Sequence, residues 1–272
     1  MNSLTQGTDE PPDGAQTFQV SGNTYDAFMG RYSQPLAAKF ADLVGIQTGM
    51  SVLDVGCGPG ALTSELIDRV GTSAVSACDP SPAFVQDCRL RHPEINLRQG
   101  RAESIPFEDD TFDAVMAQLV LHFVSEPAMA ASEFRRVLHP DGVAAACVWD
   151  FAEGMQMLRY FWDAALVIDS AAPDEARTLR FGREGEISQL LEGAGFQQIS
   201  ESTLTVSSTY TDFDELWSGF MAGIGPAGAY LVGRSEGDRA ALRAEMLSAL
   251  DSPTEPFTLE AIARCAWGRS PD

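Results

Sequence analysis

A glycine-rich turn constrains the fold of this chain more than any other feature. Residues 51–55 (SVLDV) form a short apolar run, residues 56–60 (GCGPG) interrupt it, and a segment of helical period follows directly. Apolar side chains in that segment recur at spacings of three and four residues, namely at Leu62, Leu66, Ile67 and Val70. This succession predicts a buried strand, a tight turn and an amphipathic helix. Such a unit is typical of a parallel sheet covered by helices.

The same alternation of short apolar runs and helical segments continues to about residue 150. It predicts further strands at 74–79, 95–99, 114–118 and 143–149, with helices at 81–91 and 127–138 between them. Residues 140–142 (PDG) predict the turn into the fifth strand. The fold class that follows is α/β: a doubly wound, Rossmann-like sheet, mostly parallel, with helices on both faces.

The C-terminal part is expected to complete this sheet within the same domain. Residues 155–166 and 186–193 have helical period, and residues 199–210 and 257–267 have the composition or alternation of strands, the last of them antiparallel. The segment 211–256 between these two strands is too long for an ordinary connection. We interpret this segment either as a helical cap over a substrate or as an additional packing layer.

Composition excludes several classes of protein. Lys and Arg number 18 against 39 Asp and Glu, a net charge of −21, which argues against a nucleic-acid partner. The chain lacks an apolar run near 20 residues, and its polar, acidic N-terminus is unlike a signal peptide, so we expect no membrane association. The five cysteines are scattered and the three histidines are far apart, so we expect neither disulfides nor a metal site. Free cysteines fit a reducing compartment, and we therefore expect a cytoplasmic location. Residues 1–20 are expected to be a disordered tail.

The glycine turn and a downstream acid together indicate an adenosyl ligand. Asp79 ends the second predicted strand, at the spacing from Gly56 where a carboxylate accepts both hydroxyls of an adenosine ribose. The glycine spacing also fits a dinucleotide fingerprint, which leaves a nicotinamide-dependent oxidoreductase open. Asp54 and Pro59 disfavour a pyrophosphate, because one adds negative charge and the other removes a backbone N–H donor. A ligand with an ammonium group and no phosphate fits better.

Four motifs resemble those of the class I S-adenosylmethionine-dependent methyltransferases, in their small-molecule branch. The motifs are DVGCGPG (54–60), DPS (79–81), RAESIPF (101–107) and FD (112–113), and the resemblance covers roughly residues 25–150. It implies S-adenosyl-L-methionine as cofactor and in-line methyl transfer to O, N, S or C of a small molecule. Two aromatic stripes, each either core packing or pocket wall, indicate that this acceptor is apolar or aromatic; they are Tyr160, Phe161 and Trp162, and Phe213, Trp217 and Phe220. The resemblance also implies a cofactor-binding core at 21–150 and a substrate cap within 151–272. A non-enzymatic module that binds the cofactor is the alternative.

The resemblance implies a role for each matching residue. Gly56 and Gly58 lie along the methionine moiety, Asp54 holds its amino end, and Gln118 is nearby. Asp79 takes the ribose hydroxyls, Pro80 packs on the adenine and Ala102 offers its amide to the ring. Tyr25 and Arg31 belong to an N-terminal helix that covers the cofactor, with Arg31 suited to the methionine carboxylate.

Two positions leave alternatives open. Arg101 stands where the family often has Asp, so either Glu103 accepts from the adenine amino group or the base is held by packing and backbone. His122 lies just past the fourth strand, close to the expected methyl group, and is either a general base or a locally hydrogen-bonded core residue. Asp150, at the end of the fifth strand, either binds a polar group of the substrate or caps a helix.

Overall fold

The apolar runs predicted as strands pair into one sheet. In a computed structural model, which describes residues 26–271, the sheet of this part of the chain has seven strands. They are β1 (Val52–Val55), β2 (Val75–Asp79), β3 (Asn96–Gln99), β4 (Phe112–Gln118), β5 (Leu138–Trp149), β6 (Gln197–Tyr210) and β7 (Phe257–Arg269). The order is β3-β2-β1-β4-β5-β7-β6. The first five strands pair in parallel, and β7 runs antiparallel to both β5 and β6, which confirms the predicted fold class.

Helices connect the strands and cover the sheet. They are α1 (Arg31–Val44), α2 (Ala61–Val70), α3 (Pro82–Arg91), α4 (Pro127–Val137), α5 (Gln156–Ile168), α6 (Glu175–Thr178), α7 (Glu186–Gly193), α8 (Phe213–Met221), α9 (Gly225–Val232) and α10 (Glu236–Ala249). A π-helical turn, Asp26–Gly30, precedes α1. The predicted disordered tail, residues 1–20, lies outside the described residues.

The position of β1 determines where a ligand can bind. All four of its residues are buried, because β2 and β4 flank it on either side and helices cover both faces. From β1 the chain proceeds to β2 and β3 on one side and then crosses to β4 and β5 on the other. This reversal opens a crevice beyond the carboxyl ends of β1 and β4, where open α/β sheets bind ligands.

The start of the fifth strand differs from the prediction. β5 begins at Leu138, and Phe112 pairs with Leu138 while Ala114 pairs with Val143. Residues 139–142 therefore form an irregularity inside the pairing, not a turn that precedes the strand. Asp141 adopts a left-handed conformation (φ 61°), which accommodates the extra residues as a bulge.

The long segment between β6 and β7 is helical, as predicted. Helices α8, α9 and α10 fill it, and they pack with α5 on one side of the sheet. Phe161 of α5 stacks on Phe220 of α8 with ring centroids 4.5 Å apart, and Phe28 meets Phe220 edge-on at 5.1 Å. We call α5, α6, α8, α9 and α10 the cap helices. In the described part of the chain, each helix is too short or too polar to cross a membrane.

Candidate active site

The turn between β1 and α2 brings the backbone close to the crevice. Gly56 (φ 71°), Gly58 (φ 54°) and Gly60 (φ 102°) all adopt the left-handed conformation that favours glycine. The amide of Gly56 donates to the carbonyl of Cys78 at 2.7 Å, which ties the turn to the end of β2. A Cβ atom on Gly56 would lie 2.5 Å from Val120 Cγ2, so no larger residue fits there without a shift.

Asp79 is held by main-chain amides. Its Oδ2 accepts from the amide of Gly58 at 2.9 Å, and its Oδ1 accepts from that of Ser81 at 2.8 Å. Ser81, not Asp79, caps α3. Burial raises the pKa of Asp79 to about 6, although these two hydrogen bonds act to lower it. Because each carboxylate oxygen can accept a second hydrogen bond, Asp79 can still accept hydrogen bonds from both hydroxyls of a diol.

Asp54 adds a second buried carboxylate. It is 1% exposed, and its Oδ2 accepts from Thr63 Oγ1 at 2.6 Å. Burial raises the pKa of Asp54 to about 7; the hydrogen bond from Thr63 lowers it, and the charge on Asp79 raises it further. Two acidic groups in one buried wall favour a ligand that brings positive charge.

These elements line a cleft of about 930 Å³, a volume that includes the open solvent at its mouth. The structure brings nine of the predicted cofactor residues to its walls: Asp54, Gly56, Gly58, Asp79, Pro80, Arg101, Ala102, Glu103 and Gln118. Ser33, Leu119 and Phe123 are further lining residues. The predicted motifs, which are scattered along the chain, therefore meet at one site.

Gln118 and Ser33 present polar atoms that the described residues leave without hydrogen-bond partners. Gln118 Nε2 donates to the carbonyl of Ser33 at 2.9 Å, which fixes the orientation of the side-chain amide. Gln118 Oε1 and Ser33 Oγ are both buried, and within residues 26–271 neither has a hydrogen-bond partner. An ammonium group would satisfy the amide oxygen, and a carboxylate would accept from the hydroxyl. The amino-acid end of S-adenosylmethionine carries both groups, so this pair fits that cofactor.

Sequence reasoning missed Ser33 and chose Arg31, two residues earlier. The Arg31 guanidinium donates to Glu215 Oε1 at 2.9 Å and to the carbonyl of Thr209 at 2.8 Å, and it lies 4.0 Å from the ring centroid of Tyr210. It is therefore engaged with β6 and α8 and is not among the residues that line the cleft. Its predicted contact with the cofactor stays a prediction. Tyr25 lies outside the described residues.

The segment 101–103 forms the far wall of the cleft. Glu103 Oε1 accepts from the amides of Ser125 and Glu126 at 3.1 and 3.4 Å, and Arg101 lies 3.5 Å from the same carboxylate group. The Glu103 carboxylate is thus used to hold the loop after β4, while Ala102 is buried in the wall. Of the two alternatives for adenine, this arrangement favours packing and backbone contacts.

A second cavity adjoins the cleft, with about 460 Å³ of empty space. Leu119 and Phe123 line both spaces. Leu119 has φ 62°, unusual for a residue with a large side chain, and its amide donates to the carbonyl of Cys147 at 2.8 Å. Cap helices supply part of the wall through Leu158, Glu175, Pro226 and Ala227, and Ile224 precedes α9.

His122 lines this second cavity. Burial lowers the pKa of His122 to about 3, so the imidazole is neutral at physiological pH. Its Nδ1 is buried and has no partner in the described part of the chain.

Asp150 Oδ2 accepts from Arg264 at 2.8 Å, and Oδ1 accepts from the amides of Ala152 and Glu153. Asp150 thus stabilises the turn after β5.

Comparisons with known proteins agree with this geometry. Residues 53–146 match the methyltransferase domain family. The chain is 37% identical over 100 residues to "Probable phthiotriol/phenolphthiotriol dimycocerosates methyltransferase 2" of Mycobacterium ulcerans, which covers 36% of this chain and 39% of that one. It is 29% identical over 226 residues to malonyl-[acyl-carrier protein] O-methyltransferase of Halorhodospira halophila, and this match covers 81% of this chain and 68% of that one.

A solved structure shows the same fold. The Haemonchus contortus Phospholethanolamine N-methyltransferase 2, in complex with phosphomonomethylethanolamine and S-adenosylhomocysteine, superposes with a TM-score of 0.57 at 16% identity, over 98% of this chain and 59% of that one. Residues 53–146 thus match a methyltransferase domain, and the comparisons support a class I S-adenosylmethionine-dependent methyltransferase. S-adenosylmethionine is the cofactor of that class. The match to the Mycobacterium ulcerans relative spans well under half of that protein's length.

Proposed function

We propose that this chain transfers the methyl group of S-adenosylmethionine to O, N, S or C of a small apolar or aromatic molecule. One observation carries the proposal: the cleft that holds Asp54, Asp79 and Gln118 and the second cavity meet at Leu119 and Phe123. A cofactor in the first space and an acceptor in the second would therefore be in contact. Holding the two reactants in line supplies a large part of the rate in such transfers.

The residues of the cleft are proposed to divide the cofactor between them. Asp79 accepts the ribose hydroxyls, and Pro80, Arg101, Ala102 and Glu103 enclose the adenine. Gly56 and Gly58 allow the methionine backbone to approach, while Asp54 and Gln118 face its ammonium group. Ser33 Oγ is proposed to donate to the carboxylate, in the place that the resemblance gives to Arg31 and Tyr25.

The walls of the two spaces favour transfer by excluding water. When bound, the cofactor supplies a methyl group activated by a positively charged sulfur, and that charge is lost as the methyl leaves. Buried apolar side chains around Leu119 and Phe123 solvate a charge poorly, so they favour the transition state, in which the charge is dispersed. The acidic residues lie in the cleft wall and hold the ligand in place.

On the acceptor side, we propose that His122 contacts the nucleophilic atom. Its neutral imidazole can accept a hydrogen bond from that atom. Because its low pKa makes it a weak base, it would pass the proton that a methylated O–H, N–H or S–H acceptor releases on to solvent and not retain it. The cap helices, which lie within residues 151–272, supply much of the cavity wall. We propose that they determine which acceptor binds. The Halorhodospira halophila relative is named an O-methyltransferase, which favours an oxygen nucleophile.

Transfer of isotope-labelled methyl from the cofactor to a panel of small aromatic alcohols, amines and thiols tests the proposal. Asp79→Ala is expected to reduce both S-adenosylhomocysteine binding and transfer at least tenfold. The matched control is Asp68→Ala, an exposed acid on α2. Cofactor binding with no transfer to any of the panel would favour the non-enzymatic alternative. Equal binding by the two variants would contradict the assignment of Asp79.

A further inference from the structure

The walls of the second cavity are mostly apolar, but two of its lining side chains carry polar groups that the proposed mechanism does not use. Most of its lining residues are apolar or aromatic, including Phe28, Phe151, Leu158 and Ile224. Besides His122, two of them carry hydrogen-bonding side-chain groups: Glu175 of α6 and Trp149 at the end of β5. Neither residue is part of the sequence motifs that define the cofactor cleft. Their positions in the acceptor cavity call for a separate explanation.

Glu175 is a buried acid with capacity for another donor. It is 4% exposed, and its Oε2 accepts from Trp162 Nε1 at 2.7 Å. Within residues 26–271 this indole is the one hydrogen-bond donor to the carboxylate. Burial raises the pKa of Glu175 to about 7; the bond from Trp162 lowers it, the charge of Asp174 raises it and that of Arg159 lowers it. A carboxylate that can accept up to four hydrogen bonds is thus only partly satisfied.

Trp149 is a buried donor without an acceptor. Its side chain is 2% exposed, and its Nε1 has no partner among the described residues. An indole N–H can only donate, so this atom requires an acceptor that residues 26–271 do not supply. Buried donors in native proteins are rarely left in that state.

We propose that Glu175 and Trp149 anchor the methyl acceptor, and that the acceptor is an apolar molecule that carries a hydroxyl group. A hydroxyl both donates and accepts, so it can donate to the Glu175 carboxylate and accept from the Trp149 indole. An ammonium group would satisfy Glu175 and leave Trp149 unpaired. A carboxylate would satisfy Trp149 and place a negative charge beside Glu175. This inference rests on the proposed function and narrows its acceptor class.

A purely structural role for Glu175 makes a different prediction. If the residue serves only to hold the Trp162 indole, Glu175→Gln should change nothing, because the amide oxygen still accepts that bond. If Glu175 also binds the acceptor, the substitution places an NH2 donor where a hydroxyl should donate. Glu192→Gln, on the exposed face of α7, is the matched control.

The experiment uses four small probes of similar shape: phenol, toluene, benzylamine and benzoate. Each is titrated at about pH 8.5, where the Glu175 carboxyl is mostly ionised, into the full-length protein saturated with S-adenosylhomocysteine, and binding is followed by NMR. Phenol is expected to bind roughly tenfold more tightly than the other three. Glu175→Gln should remove that preference and leave toluene unchanged, whereas Glu192→Gln should preserve it.

A spectroscopic signal from the indole provides a second measurement that needs no variant of Glu175. The chain has four tryptophans, so 15N-labelled tryptophan gives four indole signals, and Trp149→Phe assigns one. Phenol should move the Trp149 indole proton downfield, and toluene should not. Equal affinity for phenol and toluene, or tighter binding of benzylamine, would overturn the inference. Failure of S-adenosylhomocysteine to bind would contradict the proposed function instead, and the probe series on the unloaded protein would still decide the role of Glu175.

Discussion

Gln118 donates its side-chain amide to the carbonyl of Ser33 at 2.9 Å, across a separation of 85 residues in the chain. This bond joins the end of β4 to α1 and leaves Gln118 Oε1 buried at the cleft. The orientation of that oxygen is therefore determined before any ligand arrives. A preorganised acceptor of this kind suits the ammonium end of the cofactor.

Replacement of Gln118 should weaken binding of the amino-acid part of the cofactor selectively. We expect Gln118→Leu to raise the Kd for S-adenosylhomocysteine roughly tenfold, because a charge-assisted hydrogen bond is lost. The Kd for 5′-methylthioadenosine, which lacks the amino-acid end, should change little. Calorimetry with both ligands measures the difference, and Gln189→Leu on α7 is the control. An equal loss for both ligands would place Gln118 elsewhere in the site.

Arg31 should matter for stability and not for cofactor affinity. The guanidinium bonds to Glu215 and to β6 in this structure, so Arg31→Ala should lower the free energy of unfolding by about 0.5–1 kcal/mol. The Kd for S-adenosylhomocysteine should stay within threefold. Urea unfolding and calorimetry on the same variant separate the two effects. A tenfold loss of affinity would instead support the contact predicted from the sequence.

The buried acids should make the unloaded protein less stable as pH rises. The folded-state pKa values of Asp54 and Asp79 lie above their ordinary value, at about 7 and about 6. Between pH 4 and pH 7 these two acids hold more protons in the folded state than in the unfolded state, so their contribution to the free energy of unfolding falls as pH rises, while His122, with its lowered pKa, contributes in the opposite direction below about pH 6.5. Asp54→Asn should reduce that fall by about 1 kcal/mol or more, at roughly 1.4 kcal/mol per pKa unit.

The control for this pH effect is Asp68→Asn, an exposed acid on α2. It should leave the slope of unfolding free energy against pH unchanged. Chemical unfolding at pH 5 and pH 7.5 measures all three proteins. A slope in Asp54→Asn that matches the parent chain would show that Asp54 is ionised in the fold at both pH values.

Leu119 should tolerate glycine better than alanine. Its left-handed conformation (φ 62°) costs an L-residue about 1–2 kcal/mol, and glycine avoids most of that cost. Both substitutions remove the same half-buried side chain, so Leu119→Gly should be about 1 kcal/mol more stable than Leu119→Ala. At Leu190 in α7, where the backbone is helical, the order should reverse by a similar amount. The same order at both positions would contradict the strain at Leu119.

Nine residues predicted to bind the cofactor line one cleft, and they could be picked from the sequence because they lie in local patterns. Asp54, the glycines and Asp79 occupy strand ends and turns whose geometry follows from spacing along the chain. Ser33 was missed for a different reason. Arg31 and Ser33 are two residues apart on one helix, and which of them faces the cleft depends on how α1 packs. The ion pair of Arg31 with Glu215 spans 184 residues, and no local pattern announces it.

The second cavity could not be predicted from local patterns either. Its walls come from β4, β5 and the cap helices, which are distant in the sequence and brought together only by packing. The aromatic residues of the cap were recognised as either core or pocket, and they are mostly core: Phe161 and Phe220 are fully buried and stacked. Glu175 lies in a four-residue helix whose composition gives no indication of a site.

Isothermal titration calorimetry with S-adenosylmethionine, S-adenosylhomocysteine and NADH tests the central claim most directly. We expect both adenosyl ligands to bind in the micromolar range and NADH not to bind, because Asp54 and Pro59 disfavour a pyrophosphate. Binding of NADH, or of none of the three, would contradict the assignment of the cleft around Asp79 and Gln118.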